Sequence, residues 1–325
     1  MNRFPQRHDS DKNGKTALAE SQVYLKDTDA PLPQSVNFGT RYAYFKTIAK
    51  GGKSLIKSCK DLHLSRVVCY KTLRPELADD PVEQQRLLRE ARVSALLQHP
   101  NTVPTYELGR DTKGHYYFTM KLVHGYTLRE ILDYRERYDL TQLMKLLNQV
   151  AYALKYAHNH GVAHRDIKPE NILAGPFGEV LVLDWGLAKV WHPDGTAVEE
   201  VDVNSPDVCD ISLTGQGKVQ GSVHYISPEQ INKDPNIDAR TDIYSFGAVL
   251  YEVLSGKCPA NGEKIHHIVE SVLSDIPPLP SEITTQHVPA LLEKVAMRCL
   301  QKDAANRFQS VDEMLLELHQ DWGRL

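Results

Sequence analysis

Cysteine is sparse in this chain: only five of its 325 residues are Cys. Cys59, Cys69, Cys209, Cys258 and Cys299 are odd in number and widely scattered, which excludes a disulfide framework and a zinc site built from closely spaced pairs. They read as reduced thiols of a cytoplasmic protein. Nowhere do about 18 consecutive apolar residues occur, so no direct membrane insertion is expected. Met1 to Lys15 is polar and lacks the apolar run of a secretory signal. Neither sign of charge dominates, with 38 Lys and Arg against 42 Asp and Glu and a net charge of -4. No overall field draws the protein to nucleic acid or to an anionic membrane, and no nucleic-acid partner is expected. Internal repeats are missing as well.

What is present is the make-up of a soluble globular protein, 41% hydrophobic and 25% charged. The length has room for about two domains of roughly 150 residues. Residues 1–37 are polar, contain Pro31 and Pro33, and read as a flexible N-terminal tail. From Tyr42 to Lys71 short runs rich in Val, Ile and Tyr are broken by Gly51-Gly52, which predicts antiparallel strands with a tight turn. Asp80-Pro81 opens a helix with Leu87, Leu88, Ala91, Ala95 and Leu96 on one face. Tyr116 to Leu122 is strand-like again. Beyond Gly125 the pattern turns helical: 141–160 and 242–254 are apolar around most of their circumference, and 263–274, 288–300 and 310–322 are further helices. A strand-rich segment with one helix therefore precedes a helix-rich one, which predicts an α+β protein in two lobes. The N-lobe spans about 38–122, a hinge about 121–125, and the C-lobe about 126–322.

Between the two buried helices lies His164-Arg165-Asp166-Ile167-Lys168-Pro169-Glu170-Asn171, followed by the apolar run Ile172-Leu173-Ala174. Gly175 to Gly178 makes a turn, and a second run, Glu179 to Leu183, ends at Asp184-Trp185-Gly186. This is the signature of a hairpin. A hairpin returns the chain to its start, so Asn171 and Asp184 are expected side by side. An amide oxygen and a carboxylate together suit a hard cation such as Mg2+. Asp166 and Lys168 add a carboxylate and an ammonium to the same mouth.

The stretch resembles the catalytic loop and metal-binding segment of eukaryotic-like (Hanks-type) serine/threonine protein kinases of the bacterial type, with His-Arg-Asp, Lys and Asn in register and Trp185 where Phe is usual. Five specified residues at fixed spacing arise by chance in roughly one window in a few million. The resemblance implies the bilobal kinase fold: a small antiparallel sheet lobe with one helix, and a larger, mainly helical lobe, together covering 38–322. It extends along the chain. Lys71 closes Val68-Cys69-Tyr70-Lys71 where the family has Val-Ala-Ile-Lys, and Glu90 follows where the family's ion-pair partner stands. Ser227-Pro228-Glu229 resembles the Ala-Pro-Glu that closes the activation segment, and Arg307 stands where the family places the partner of that Glu. Asp242 resembles the Asp that braces the catalytic loop; helix N-capping is its plainer role.

The glycine-rich loop departs from the pattern. Where the family has G-x-G-x-x-G, the chain reads Ala49-Lys50-Gly51-Gly52-Lys53-Ser54, so the first and third glycines are replaced. The retained middle glycine lets backbone amides approach phosphate. Gly52-Lys53-Ser54 imitates the end of a Walker A motif, but Thr47 occupies the position that must be Gly, and the flanks are strand-like.

As the resemblance implies, Ile48, Ile56, Cys69, Met120 and Leu173 line an adenine pocket beside Gly51 and Gly52, with the backbone of Lys121 and Val123 offering hydrogen bonds. The same side chains would equally serve a core. Asp184 and Asn171 hold Mg2+, Lys71 the inner phosphates of ATP and Lys168 the γ-phosphate. Asp166 orients the acceptor hydroxyl, a role that asks for placement more than for a shifted pKa. Its substrates are Ser and Thr hydroxyls of proteins. The long segment from Asp184 to Glu229 is expected to be mobile and regulated through Arg165, with Thr214 the leading phosphosite, Ser212 and Ser205 behind it, and Ser222 where the family commonly has a Thr that contacts the catalytic Asp. Autophosphorylation in trans implies a transient homodimer. The alternative is a pseudokinase, a nucleotide-binding or scaffold module disabled by its altered glycine loop. His158, His160 and His164 crowd the loop but lack a carboxylate to complete a zinc set, and read as hydrogen-bonded or solvated side chains.

Overall fold

Alternating side chains and a turn at Gly51-Gly52 build β1 (Tyr42–Lys50), β2 (Ser54–Asp61) and β3 (Arg66–Leu73) in the structure, a computed structural model that describes residues 41–191 and 223–319. The expected tail, Cys209 and the candidate phosphosites Ser205, Ser212, Thr214 and Ser222 lie outside the described residues. Asp80 starts α1 (Pro81–Leu96) by accepting the N–H groups of Val82 and Glu83 at 2.9 and 3.2 Å, as its place before Pro81 predicts. β4 (Thr105–Arg110) and β5 (Tyr116–Met120) complete an antiparallel sheet in the order β1-β2-β3-β5-β4.

Alternation along β3 sends its residues to two faces. Val68 and Tyr70 join Cys59, Tyr117 and Tyr42 on one. Leu73 joins Leu87 and Ala91 of α1 and Phe118 on the other. Cys69 and Lys71 share the parity of Leu73 and so face α1.

These elements belong to one compact unit comprising residues 41–96, 103–124 and 175–178; the other comprises 97–102, 125–174, 179–191 and 223–319. The second unit opens with β6 (Tyr126–Thr127), α2 (Leu128–Leu132) and α3 (Leu140–Asn159). Thr127 and Asp139 each close a capping box at the N-terminus of their helix. After α3 the chain turns at Gly161, with φ +70°; a Cβ there would meet the Trp191 carbonyl at 2.8 Å, so the position needs glycine twice over.

Short strands follow: β7 (Val162–Ala163), β8 (Ile172–Ala174), β9 (Val180–Val182) and β10 (Lys189–Val190). They pair antiparallel as β6-β8-β9 and β10-β7. The rest is helical: α4 (Pro228–Ile231), α5 (Arg240–Ser255), α6 (Ile265–Ser274), α7 (Pro280–Ile283), α8 (Ala290–Cys299) and α9 (Val311–His319). Every residue of α5 from Thr241 to Ser255 is buried, as its all-round apolar pattern predicts.

Candidate active site

In the first unit the inward parity of Lys71 meets a helix face. Glu90 lies between Leu87 and Ala91 on the buried stripe of α1, and its Oε1 accepts from Lys71 Nζ at 2.6 Å. Both side chains are under one tenth exposed, so each charge offsets part of the other's loss of water. Register places Lys71 opposite Ile56 on one side and Phe118 on the other, and Cys69 opposite Met120; cross-strand partners share a face. Ile56, Cys69 and Met120 are therefore gathered on the face that carries Lys71. Ile48 is the extra residue of a bulge between Thr47 and Ala49 and is 47% exposed, so ladder parity does not assign it a face. The Lys121 N–H is donated to the Pro104 carbonyl at 3.0 Å, which leaves its carbonyl, not its N–H, to meet a ligand. Val123 lies one residue before the end of this unit's second segment, and Leu173 lies in β8 of the other unit. The Gly51 N–H closes the turn onto the Ser54 carbonyl at 2.9 Å, and Arg74 donates to the Gly52 carbonyl at 3.3 Å. Lys53 reaches Glu83 of α1 at 2.8 Å.

The second unit assembles the loop residues. Lys168 Nζ donates to both carboxylate oxygens of Asp166, at 2.8 and 2.7 Å. Asn171 Nδ2 donates to the Asp166 carbonyl and to its Oδ2, at 2.8 and 2.9 Å, which fixes the amide and turns Oδ1 away from Asp166. Burial raises the pKa of Asp166 above the ordinary carboxylate value, Lys168 opposes the shift, and the charge of Asp184 adds to it. The sequence asks of this residue placement more than a shifted pKa; its partial burial, with 17% of the side chain exposed, adds the upward shift.

The hairpin places Asn171 and Asp184 as its topology predicts. Ile172 pairs with Val182, and the Leu183 N–H donates to the Asn171 carbonyl at 2.8 Å. Asp184 follows in a left-handed conformation, φ 62°, and its Oδ1 accepts the Gly186 N–H at 3.4 Å. An amide oxygen and a carboxylate at the foot of one hairpin are the hard donors that Mg2+ takes, with room in its shell for phosphate and water. The residues present thus fit the ion. No group of three or more His, Cys, Asp or Glu forms a metal cluster among the described residues. Trp185 packs edge to face on His164, ring centroids 4.5 Å apart, and its Nε1 is buried with no hydrogen-bond partner among the described residues.

Asp242 lies inside the first turn of α5 and does not cap it. The Arg240 N–H goes instead to Asp238 Oδ1, at 2.9 Å. Asp242 accepts the N–H groups of His164 and Arg165, both at 2.7 Å, and His158 Nε2 at 2.8 Å. Burial alone would push its carboxyl up, but His158 and these N–H groups hold it below the usual range. His164 takes the Asp166 N–H on Nδ1 at 3.1 Å. That nitrogen must be unprotonated, so Nε2–H donates to the Leu183 carbonyl at 2.8 Å. His160 contacts the Tyr156 carbonyl; all three histidines are hydrogen-bonded side chains.

Glu229 and Arg307 meet in a two-pronged pair at 2.6 and 2.8 Å. Two groupings carry no local sequence signal. Arg129 donates to Glu170 at 3.1 Å, to Glu252 at 2.7 and 3.2 Å, and to the Tyr225 hydroxyl. Gln230 donates to the Arg165 carbonyl at 2.8 Å.

The family model for the protein kinase domain matches residues 42–319. A serine/threonine-protein kinase PknD of Chlamydia caviae is 32% identical over 292 residues, covering 86% of this chain and 31% of that protein. Its namesake in Protochlamydia amoebophila is 34% identical over 313 residues, covering 90% and 31%. A probable serine/threonine-protein kinase of Clostridium acetobutylicum is 34% identical over 278 residues, covering 86% and 39%. The chain thus spans about a third of the length of the curated relatives it matches.

Proposed function

The chain belongs to the protein kinase family, and from that premise we propose that it transfers the γ-phosphate of ATP to serine and threonine hydroxyls of proteins, through a domain covering about residues 38–322. One observation carries the proposal: a single carboxylate, Asp166, is held by Lys168 and by Asn171, with the charge of Asp184 close enough to act on it. A module that only bound nucleotide would have no need of that arrangement.

Phosphoryl transfer asks the protein for placement and for neutralisation of charge on the moving group. Asn171 and Asp184 would hold Mg2+, which when bound offsets the phosphate charge. Lys71, steadied by Glu90, takes the inner phosphates. Lys168 accompanies the γ-phosphoryl group. Asp166 accepts the hydroxyl proton as the hydroxyl oxygen bonds to phosphorus; the bond from the γ-phosphorus to its bridging oxygen breaks, and ADP leaves. A base with a raised pKa holds that proton better than an ordinary carboxylate. Copies of the chain phosphorylate one another at Thr214, Ser212 or Ser222 through a transient dimer.

The altered glycine loop speaks for the scaffold alternative. Labelled ATP with Mg2+ decides between them: the intact protein becomes labelled, and Asp166→Asn lowers labelling by about 10²- to 10⁴-fold. ATP binding without any labelling would select the scaffold.

A further inference from the structure

Gln230 occupies a place that phosphate transfer, as described above, does not use. It lies in α4, 65 positions from Arg165, and is buried. Its amide has one end that can only donate and one that can only accept, and the surroundings settle which is which. The Arg165 carbonyl can only accept, and it lies 2.8 Å from Nε2. The Ser227 N–H can only donate, and it lies 3.2 Å from Oε1; the Ser227 and Thr241 hydroxyls lie 3.2 and 2.9 Å from the same oxygen and 2.7 Å from each other, so one of them donates to Oε1 and the other donates to its neighbouring hydroxyl. The Ser227 N–H and the linked pair of hydroxyls hold the oxygen, and the NH2 group is thereby aimed at the Arg165 carbonyl.

That carbonyl belongs to the peptide bond leading into Asp166. Arg165 adopts φ +65°, a left-handed conformation that is unfavourable for a non-glycine residue and persists only where neighbours over-determine it. The neighbours are on hand. Asp242 takes the Arg165 N–H, His164 takes the Asp166 N–H, and Gln230 holds the carbonyl between them. Rotation of this peptide would swing the Asp166 carboxylate away from its place.

We propose that Gln230, aimed by Thr241 and Ser227, is a positioning residue that fixes the Arg165–Asp166 peptide and thereby the orientation of the Asp166 carboxylate. The inference rests on Asp166 as the proton acceptor. Gln230→Leu is expected to lower kcat by about 10- to 100-fold with the ATP KM unchanged within about twofold, and to speed amide exchange in the peptide covering residues 164–167. Thr241 separates aiming from packing: Thr241→Val keeps the volume and loses the donor, whereas Thr241→Ser loses a methyl and keeps it. Activity retained by Thr241→Ser and lowered in Thr241→Val supports positioning, and it stands in for Gln230→Leu should that variant not fold. The reverse order, a folded Gln230→Leu with the parent kcat, or unchanged exchange at 164–167 overturns it. If the parent protein transfers no phosphate, the kinase reading falls, and the exchange measurement still decides the role of Gln230.

Discussion

Arg307 grips Glu229 with two guanidinium nitrogens while its remaining N–H groups go to the carbonyls of Gln301, Lys302 and Arg240, at 2.7, 3.1 and 3.1 Å. The arginine is buried, so its charge is compensated entirely by protein groups. Removing either partner strands a charge away from water. Arg307→Met is expected to cost about 3–5 kcal/mol of stability, read as a lower urea midpoint. An unchanged midpoint would show that the pair is not needed for the fold.

Lys71 and Glu90 allow fold and chemistry to be separated. Lys71→Met removes the cation beside the buried Glu90 carboxylate and lowers stability by about 3–5 kcal/mol, while Lys71→Met with Glu90→Leu replaces both charges by apolar groups and recovers most of it. Activity behaves otherwise: both forms lose phosphate transfer. A double variant that regained transfer would show that Lys71 serves structure only.

The raised pKa of Asp166 sets the acid side of the pH profile. The carboxylate accepts a proton only when ionised, so kcat/KM falls as pH drops through the folded-state pKa, which lies above the ordinary 3.8. Lys168 holds that value down; in the residual activity of Lys168→Met the acid limb moves to higher pH. Movement to lower pH would contradict the assignment of Asp166 as base.

Trp185 buries an indole N–H without a partner among the described residues, and such a donor costs about 1–3 kcal/mol. Trp185→Phe removes the donor and also some packing volume, two effects of opposite sign. The net loss of stability by urea denaturation is expected to stay below about 1 kcal/mol. A loss of several kcal/mol would mean that the indole nitrogen is satisfied in solution, by water for example.

Much of this was legible in the chain. His164 to Asn171, the hairpin to Asp184, and Lys71 with Glu90 are local patterns or short separations, and strand parity plus helix periodicity is enough to aim them. The helix from Asp80 and the turn at Gly161 were equally readable, because capping and positive φ leave marks in residue type. Asp242 was only half legible: its bracing role was expected, but its place inside the helix follows from Asp238 taking the Arg240 N–H, a choice between two nearby acids. Arg129 and Gln230 were not legible, since their partners lie up to 123 and 65 positions away and chain spacing says nothing of side-chain reach. Ile48 falls in a bulge, where strand parity no longer says which face a residue takes.

The register that sets Lys71 opposite Ile56 and Phe118 has a consequence for inherited damage. Adding or deleting one residue between Arg66 and Lys71 would turn the lysine to the far side of the sheet, away from Glu90, with every amino acid type preserved. The same change in the turn from Leu62 to Ser65 leaves the ladder aligned. Errors of counting within β3 are thus graver than most errors of spelling, and they should be the rarest lesions in working copies of this gene.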